Sequence, residues 1–280
     1  MPHSSTNRDR RPASPRSQNT ANSRKPKEGP FWLYGRHAVA AALRNPQRRT
    51  RRVLATKNAL DWLKTLAVDE SAISPIEDAR PEAIDKVLSN ARLGPNAVHQ
   101  GLAAEVDDLP RARLKSACAA PKPDDLVVVL DQVTDPQNIG AVFRSAAAFG
   151  ARAMVLQDRR TPPLAGALAK AAAGATETLP CVRAVNIARS LEALKDLGYH
   201  CAGLAGESSA PIGALPQNGP VALVLGAEGS GLRPLVRETC DQLYGVPISS
   251  SIESLNVSNA AAIAFYAARM RSTGARNTTD

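Results

Sequence analysis

Residues 126–130 read LVVVL, five apolar positions in a row with three β-branched residues at the centre. A run this short without polar alternation fits a strand buried on both faces, which is the habit of parallel sheets. Similar runs recur at AMVLQ (153–157), HCAGLA (200–205) and VALVLG (221–226). Helical patterns separate or follow them at 138–150, 163–175, 186–197, 231–240 and 254–271. Strand and helix in alternation predict an α/β domain built on a mostly parallel sheet.

The 280-residue chain is long enough for about two domains. Ahead of 126 the pattern is different. FWLYGRHAVAAALRN (31–45) has helical spacing at Val39, Ala42 and Leu43. QRRTRRVLAT (47–56) is a basic cluster running into a short strand. ALDWLKTLA (59–67) and PEAIDKVLSNA (81–91) read as helices and AVHQGLAAEV (97–106) as a β segment. The expected organisation is a small α/β unit over 30–107, a linker over 108–124 and the larger α/β domain over 125–272. Pro121 and Pro123 lie near the end of the linker. The first 29 residues are rich in Ser, Pro, Asn and Arg with almost nothing to bury, and are expected to be disordered, as are 273–280.

Charge points to the kind of partner. The chain carries a formal +9 with a pI near 9.7. Residues 1–29 hold seven basic residues (Arg8, Arg10, Arg11, Arg16, Arg24, Lys25, Lys27) against Asp9 and Glu28, more than half of the net charge in a tenth of the chain. Such an arm adds salt-sensitive affinity for phosphate backbones, so nucleic acid is the simplest partner. The four cysteines (Cys118, Cys181, Cys201, Cys240) show no C-x-x-C spacing, and with only four His a metal site has no support. They read as reduced, mostly buried small hydrophobes. No apolar run approaches the roughly 18 residues that span a bilayer, and no signal-peptide core opens the chain. A cytoplasmic protein that uses no membrane is therefore expected.

In an open parallel sheet ligands gather in the loops at the carboxyl ends of the strands. Three such loops are rich in Gly, Asn, Ser and acid. The first, DQVTDPQNIG, leads into NIGAVFRSAAAFGA, with Asn138 expected to cap the helix. On a helical wheel Ile139, Val142, Phe143, Ala146 and Gly150 share a face. Arg144 lies about 140° from Ile139, beside Ala141, Ser145 and Ala148. A guanidinium set among small residues leaves room for something to approach it. The second, LVLGAEGSGLRP (223–234), is glycine-rich but is neither G-x-G-x-x-G nor a phosphate loop, and Glu228 sits where a phosphate would approach. The third, GVPISSSIESLNVSNAAAIAFYAARM (245–270), gathers Ser254, Asn256, Ser258 and Asn259 at a helix opening. Capping accounts for one of these.

Taken in order, DPQNIGAVFRSAAAFGA, LVLGAEGSGL and VPISSSIESLNVSNAAAIAFY resemble the motifs of the SpoU class of the SPOUT superfamily, RNA ribose 2′-O-methyltransferases that use S-adenosylmethionine. LYGRHAVAAAL and AVHQGLAAEV look like the start and end of the substrate-binding domain of the 23S rRNA guanosine-2′-O-methyltransferase subgroup. The resemblance covers about 31–271. It implies a deep trefoil knot in the second domain, which strand and helix alternation alone would not suggest. It also implies a homodimer through the knotted domain.

Carried over residue by residue, the resemblance places Asn138, Arg144, Glu228, Ser254 and Asn256 at the polar positions of the active site. Leu225, Gly226, Val246, Pro247 and Leu255 fall in the S-adenosylmethionine pocket. Arg36, His37, Arg48, Arg49, Arg51 and Arg52 would extend a positive surface for 23S ribosomal RNA or a pre-ribosomal particle. The chemistry needs no metal, because the sulfonium already supplies its own leaving group, a neutral thioether. Two other functions compete: the same reaction on tRNA, and a catalytically silent RNA-binding or ribosome-assembly factor.

Overall fold

The computed structural model describes residues 29–66, 76–94 and 97–274. The basic arm at 1–28 and residues 275–280 lie outside the described residues. Two sheets organise the chain. The first contains β1 (Phe31–Tyr34), β2 (Thr50–Ala55), β3 (Ile76–Asp78) and β4 (Leu102–Val106) in the order β1-β4-β2-β3, with α1 (Arg36–Arg44), α2 (Lys57–Lys64) and α3 (Pro81–Asn90) between them. It is mixed: β4 runs antiparallel to both neighbours, while β2 and β3 are parallel.

The second sheet has six strands, all parallel. Their order is β10 (Gln242–Tyr244), β8 (His200–Leu204), β9 (Val221–Leu225), β5 (Leu126–Leu130), β6 (Ala153–Gln157) and β7 (Cys181–Ala184). The LVVVL run forms β5, near its middle. Leu126, Val128 and Leu130 enter the core on one face, and Val127 and Val129 the core on the other. Each such side chain contributes about 1.5–3 kcal/mol on burial, and this double covering is why the run shows no polar alternation. The first face is covered by α5 (Pro136–Ala148) and α10 (Val257–Gly274), the second largely by α8 (Ile187–Asp196) and α9 (Pro234–Thr239).

Several boundaries depart from the sequence reading. Residues 31–34 are a strand ahead of α1, because Gly35, at φ 92°, turns the chain between the two. The expected linker contains the short helix α4 (Leu114–Cys118), and 163–175 divides into α6 (Gly166–Ala171) and α7 (Ala175–Thr178) at Gly174. Strands β3 and β7 were not expected; at three and four residues they are too short to show a period. The last helix runs through Gly274, past the expected boundary at 272.

The front sheet is seated on α6 and α7. Ala169 of α6 lies in its core cluster, and a Cβ on Gly174 would come within 2.7 Å of Ala41. The contact is locked by charge. Arg48, just after α1, donates from Nη2 to Glu177 Oε1 (2.7 Å) and from Nε to Glu177 Oε2 (2.9 Å), while Asn45 Nδ2 donates to the Glu177 carbonyl (3.0 Å). Both charged side chains are 1% exposed. Arg48, expected on the positive surface, is thus buried as the structural partner of Glu177. On the far side α6 packs against α5 so closely that a Cβ on Gly140 would lie 2.6 Å from Ala171.

Past β10 the chain is held closely by residues 205–212. Gly245 N–H donates to the Ala210 carbonyl and its own carbonyl accepts from Ile212 N–H, both at 2.8 Å. Ala205 N–H donates to the Tyr244 carbonyl (2.9 Å), and a Cβ on Gly245 would lie 2.9 Å from the Ser208 carbonyl. Farther on, buried Arg271 fastens α10 to the Pro216 and Gly219 carbonyls (2.8 Å each). No described helix is long and apolar enough to cross a membrane.

Three outcomes follow from this packing. Arg48→Ala strands the Glu177 carboxylate and is expected to cost about 3–5 kcal/mol, read as a lower urea midpoint with unchanged slope. Burial pushes the thiols of Cys118 and Cys181 up to about 11 and those of Cys201 and Cys240 to about 12, from an ordinary 9.0. All four are therefore expected to resist iodoacetamide at neutral pH until the chain unfolds. Between 9 and these raised values the folded chain keeps protons that the unfolded chain releases. Stability should therefore fall as pH rises through that window.

Candidate functional site

Strands β5 and β9 pair in register, Leu130 opposite Leu225, so the loops that follow them leave the sheet side by side. Asp131, the first residue beyond β5, is fully buried. Its N–H donates to the Leu225 carbonyl (2.8 Å), and its carboxylate accepts from Arg233 N–H (3.0 Å), Nε (2.8 Å) and Nη2 (2.6 Å). Both guanidinium nitrogens converge on Oδ1 and the backbone N–H takes Oδ2, and hydrogen bonds between charged partners are stronger than neutral ones. It ties the first loop to the far end of the glycine loop.

The glycine loop is closed on itself. Ala227 and Gly231 exchange backbone hydrogen bonds (3.1 and 2.9 Å), with positive φ at Gly229 and Gly231. A Cβ on Gly226 would collide with the Gly231 carbonyl group. Folded this tightly, the loop spends the N–H groups of Ala227, Ser230 and Gly231 internally and lifts Glu228 to its exposed tip.

Asp135, not Asn138, caps α5: its Oδ1 accepts from Asn138 N–H at 2.8 Å. Pro136 supplies the first helical residue, a position where its missing N–H costs nothing. The helix thus starts two residues before the expected cap, and the Asn138 side chain is released for other work. Asn138 Nδ2 donates to Glu228 Oε1 (3.0 Å). Asn256 Nδ2 donates to the same oxygen (2.8 Å) and to Asn138 Oδ1 (3.0 Å), and Val257 N–H also reaches Glu228 Oε1 (3.2 Å). Asn256 Oδ1 meanwhile accepts from Ser258 N–H (2.9 Å) and Oγ (2.6 Å), capping α10. One amide side chain serves both as cap and as link.

Three of the five polar residues, Asn138, Glu228 and Asn256, are therefore one hydrogen-bonded group drawn from three loops. Arg144 stands two turns into α5, exposed, and has no hydrogen bond or ion pair among the described residues. Ser254 is exposed on the segment before α10. The expected cofactor positions lie at the same end of the sheet. Leu225 closes β9, Gly226 opens the glycine loop, Val246 and Pro247 follow β10, and Leu255 precedes α10. Val246 packs on the core cluster that contains Leu225.

The basic residues expected to meet RNA divide. Arg36 is half-buried with its guanidinium 5.4 Å over the Trp62 ring, and exposed His37 sets its edge on the same ring. Arg49, Arg51 and Arg52 stay on the surface beside acids: Arg51 pairs with Asp107 (2.7 Å), Arg49 approaches Asp107 (3.8 Å), and Arg52 grips Glu77 with both ends of its fork. Asp131, Arg233 and Asp135 were missed in the sequence. An acid directly after an all-apolar strand is the one signal that would have pointed to Asp131, since a buried carboxylate must find partners.

Comparison with known proteins follows the same division. A family model described as the SpoU rRNA Methylase family matches residues 125–266, and one described as RNA 2′-O ribose methyltransferase substrate binding matches 32–112. The chain is 37% identical over 240 residues to the 23S rRNA (guanosine-2′-O-)-methyltransferase RlmB of Vibrio cholerae, covering 84% of this chain and 95% of that one. The protein of the same name from Burkholderia sp. is also 37% identical, over 242 residues, covering 84% and 94%. Among solved structures, the SpoU methyltransferase AviRb of Streptomyces viridochromogenes with AdoMet superposes with a TM-score of 0.70 at 23% identity, over 88% of this chain and 91% of that one.

Glu228→Ala removes the acceptor shared by the three loops. Because the group is exposed, the melting midpoint should drop only by a few degrees, roughly what 1 kcal/mol gives at this chain length. Methyl transfer should fall about 10²-fold through lost positioning. Differential scanning calorimetry and a transfer assay on the same preparation check both.

Proposed function

Because the chain belongs to the SpoU rRNA methylase family, we propose that it methylates the ribose 2′-oxygen of a guanosine in 23S ribosomal RNA. The observation that carries this reading is the Asn138–Glu228–Asn256 group at the strand ends, with Arg144 exposed farther along the same helix α5 and without a side-chain partner among the described residues. The rRNA substrate and the guanosine come from the names of the relatives.

The donor suited to this site is S-adenosylmethionine, which supplies a methyl group on a sulfonium. Leu225, Gly226, Val246, Pro247 and Leu255 would hold it. The structure fits: Gly226 leaves no volume for a side chain at the carboxyl end of β9, and Glu228 gives the loop an anionic tip suited to a cationic ligand and unsuited to a phosphate. A ribose hydroxyl is a weak nucleophile and must be both aligned and relieved of its proton. A guanidinium is a poor base. Arg144 therefore acts by gripping the adjacent phosphate and donating hydrogen bonds to the 2′-oxygen as negative charge grows there. The proton leaves to the phosphate or to water. Asn138 and Asn256, held by Glu228, fix the loops around the ribose, and exposed Ser254 contributes a hydroxyl to the substrate or the donor.

The rest of the molecule supports this work. Residues 30–107 hold RNA, 108–124 connect, and 125–272 transfer the methyl group. The basic arm adds affinity for phosphate. The enclosure of Gly245 by residues 205–212 supports a knotted path, in which the end of the chain passes through an earlier loop. Ile263, Tyr266 and Met270 make an exposed apolar stripe on α10 and support a homodimer through that helix. A cytoplasmic location fits this reading, since relatives named for 23S rRNA come from bacteria.

The test is transfer of a radiolabelled methyl group to purified 23S rRNA, 16S rRNA and tRNA, with the product mapped as an alkali-resistant 2′-O-methyl linkage. Label on a 23S guanosine is expected, with Arg144→Lys losing about 10²-fold because an ammonium cannot make the planar two-point grip. Label on tRNA alone would move the substrate. Absence of label on every RNA would leave an RNA-binding protein without this activity.

A further inference from the structure

We infer that the rim formed by the loops after β6 and β7, on the methyltransferase domain itself, grips the phosphates of the RNA strand that flanks the target ribose. The inference rests on RNA as the substrate. The positive surface expected from the sequence lies within residues 36–52, outside this domain.

Strand order puts the rim beside the candidate site. Leu156 of β6 pairs with Leu130 of β5, and Ala184 of β7 with Gln157 of β6. Neighbouring strands stand about 5 Å apart, so the loop after β6 leaves the sheet next to the loop that leads to Asn138. The two loops touch, with Arg160 Nη1 donating to Gln132 Oε1 (3.4 Å). The glycine loop with Glu228 lies on the other side of β5. An RNA strand that crosses the strand ends from the Asn138–Glu228 group reaches the β6 rim next.

The rim carries cations that the fold does not use. Arg159 and Arg160 are adjacent and exposed, and Arg189 is exposed in the first turn of α8. Neither Arg159 nor Arg189 has a side-chain hydrogen bond or ion pair among the described residues, and Arg160 has only its long bond to Gln132. Asp158 is the one acid in 157–163; it is half-buried and pairs with none of the three. Residues 183–190 contain no acid. Like charges gathered without acids repel one another, and a polyanion relieves the repulsion as it binds. The front sheet makes the contrast, since Arg51 and Arg52 are taken up by Asp107 and Glu77.

The backbone beneath these side chains is fixed. Arg183 of β7 donates from Nη2 to the Pro162 carbonyl (3.0 Å) and from Nη1 to the Thr161 carbonyl (3.4 Å). Asp158 N–H donates to the Ala184 carbonyl (2.9 Å), and Thr161 N–H to the Gln157 carbonyl (3.2 Å). Pro162 and Pro163 restrict the loop further. One arginine thus anchors the loop by its carbonyls while two others stand on it for use. A loop already held in place loses little entropy on binding, and the guanidinium fork matches the oxygens of a phosphate.

Arg159→Gln with Arg160→Gln removes both charges and keeps the backbone bonds of the loop. The probe is a fluorescein-labelled polyuridine oligonucleotide, followed by anisotropy against the full chain over a range of salt. Binding should weaken about tenfold, and the salt slope should fall by about 1.4, two phosphate contacts at about 0.7 each on a single strand. In methyl transfer to 23S rRNA the loss should appear in KM for the RNA rather than in kcat. The melting midpoint and S-adenosylmethionine binding by calorimetry should match the parent chain. Lys115→Gln with Lys122→Gln makes the same change of charge at the amino end of the sheet, where Arg152 ties this segment to the start of β6. That pair should leave salt slope and KM unaltered. Equal effects of the two double variants, or no effect of the first on slope and KM while RNA is still methylated, would overturn the rim and spare the activity. A lowered salt slope in the Arg159/Arg160 variant of a chain that methylates no RNA would support the rim and remove the activity.

Discussion

The buried carboxylate of Asp131 is the point on which the candidate site depends. It ends the central strand of a sheet covered on both faces, so no water reaches it. A carboxylate in that position is tolerated only when its acceptor sites are filled. The forked guanidinium and backbone N–H of Arg233 fill them, and Arg233 follows the glycine loop. Pairing β5 with β9 in register brings the two loop roots level, and the ion pair then fixes their ends. Glu228 is held out between these supports and gathers Asn138, Asn256 and Val257 onto one oxygen.

A second buried ion pair gives the front sheet its place. Arg48 and Glu177 meet where α1 ends against α7, and α6 carries the contact onward to α5. Helix α5 bears Asn138 and Arg144. The front sheet is thus coupled by packing to the helix that carries the candidate chemistry, with no reliance on the connecting segment.

Much of the larger sheet was legible because its strands have a distinct signature. LVVVL, AMVLQ and VALVLG are apolar throughout since both faces are covered, and no surface strand writes itself that way. Short strands were not legible: β3 and β7 offer too few residues for a period to show. At 31–34 a strand was read as the start of a helix because the helical spacing of Val39, Ala42 and Leu43 lay directly beyond it. Asn138 was expected to cap α5, yet Asp135 does so, because Asp-Pro is the stronger start and Pro136 fits only the first turn. Arg48 looked like its neighbours in a run of arginines; its burial is a property of α7, more than a hundred residues away.

The sequence by itself determined the α/β class, the parallel core, three polar loops at strand ends and an arginine set among small residues. These are local matters, decided by which side chains accept burial and which backbone turns they permit. The tertiary structure alone decided which polar groups share a proton donor or acceptor. Asn138, Glu228 and Asn256 are separated by up to 118 residues and meet only because strand order and register carry their loops together. Hydrogen bonds act over about 3 Å, and no pattern along the chain reports a distance that short between residues so far apart.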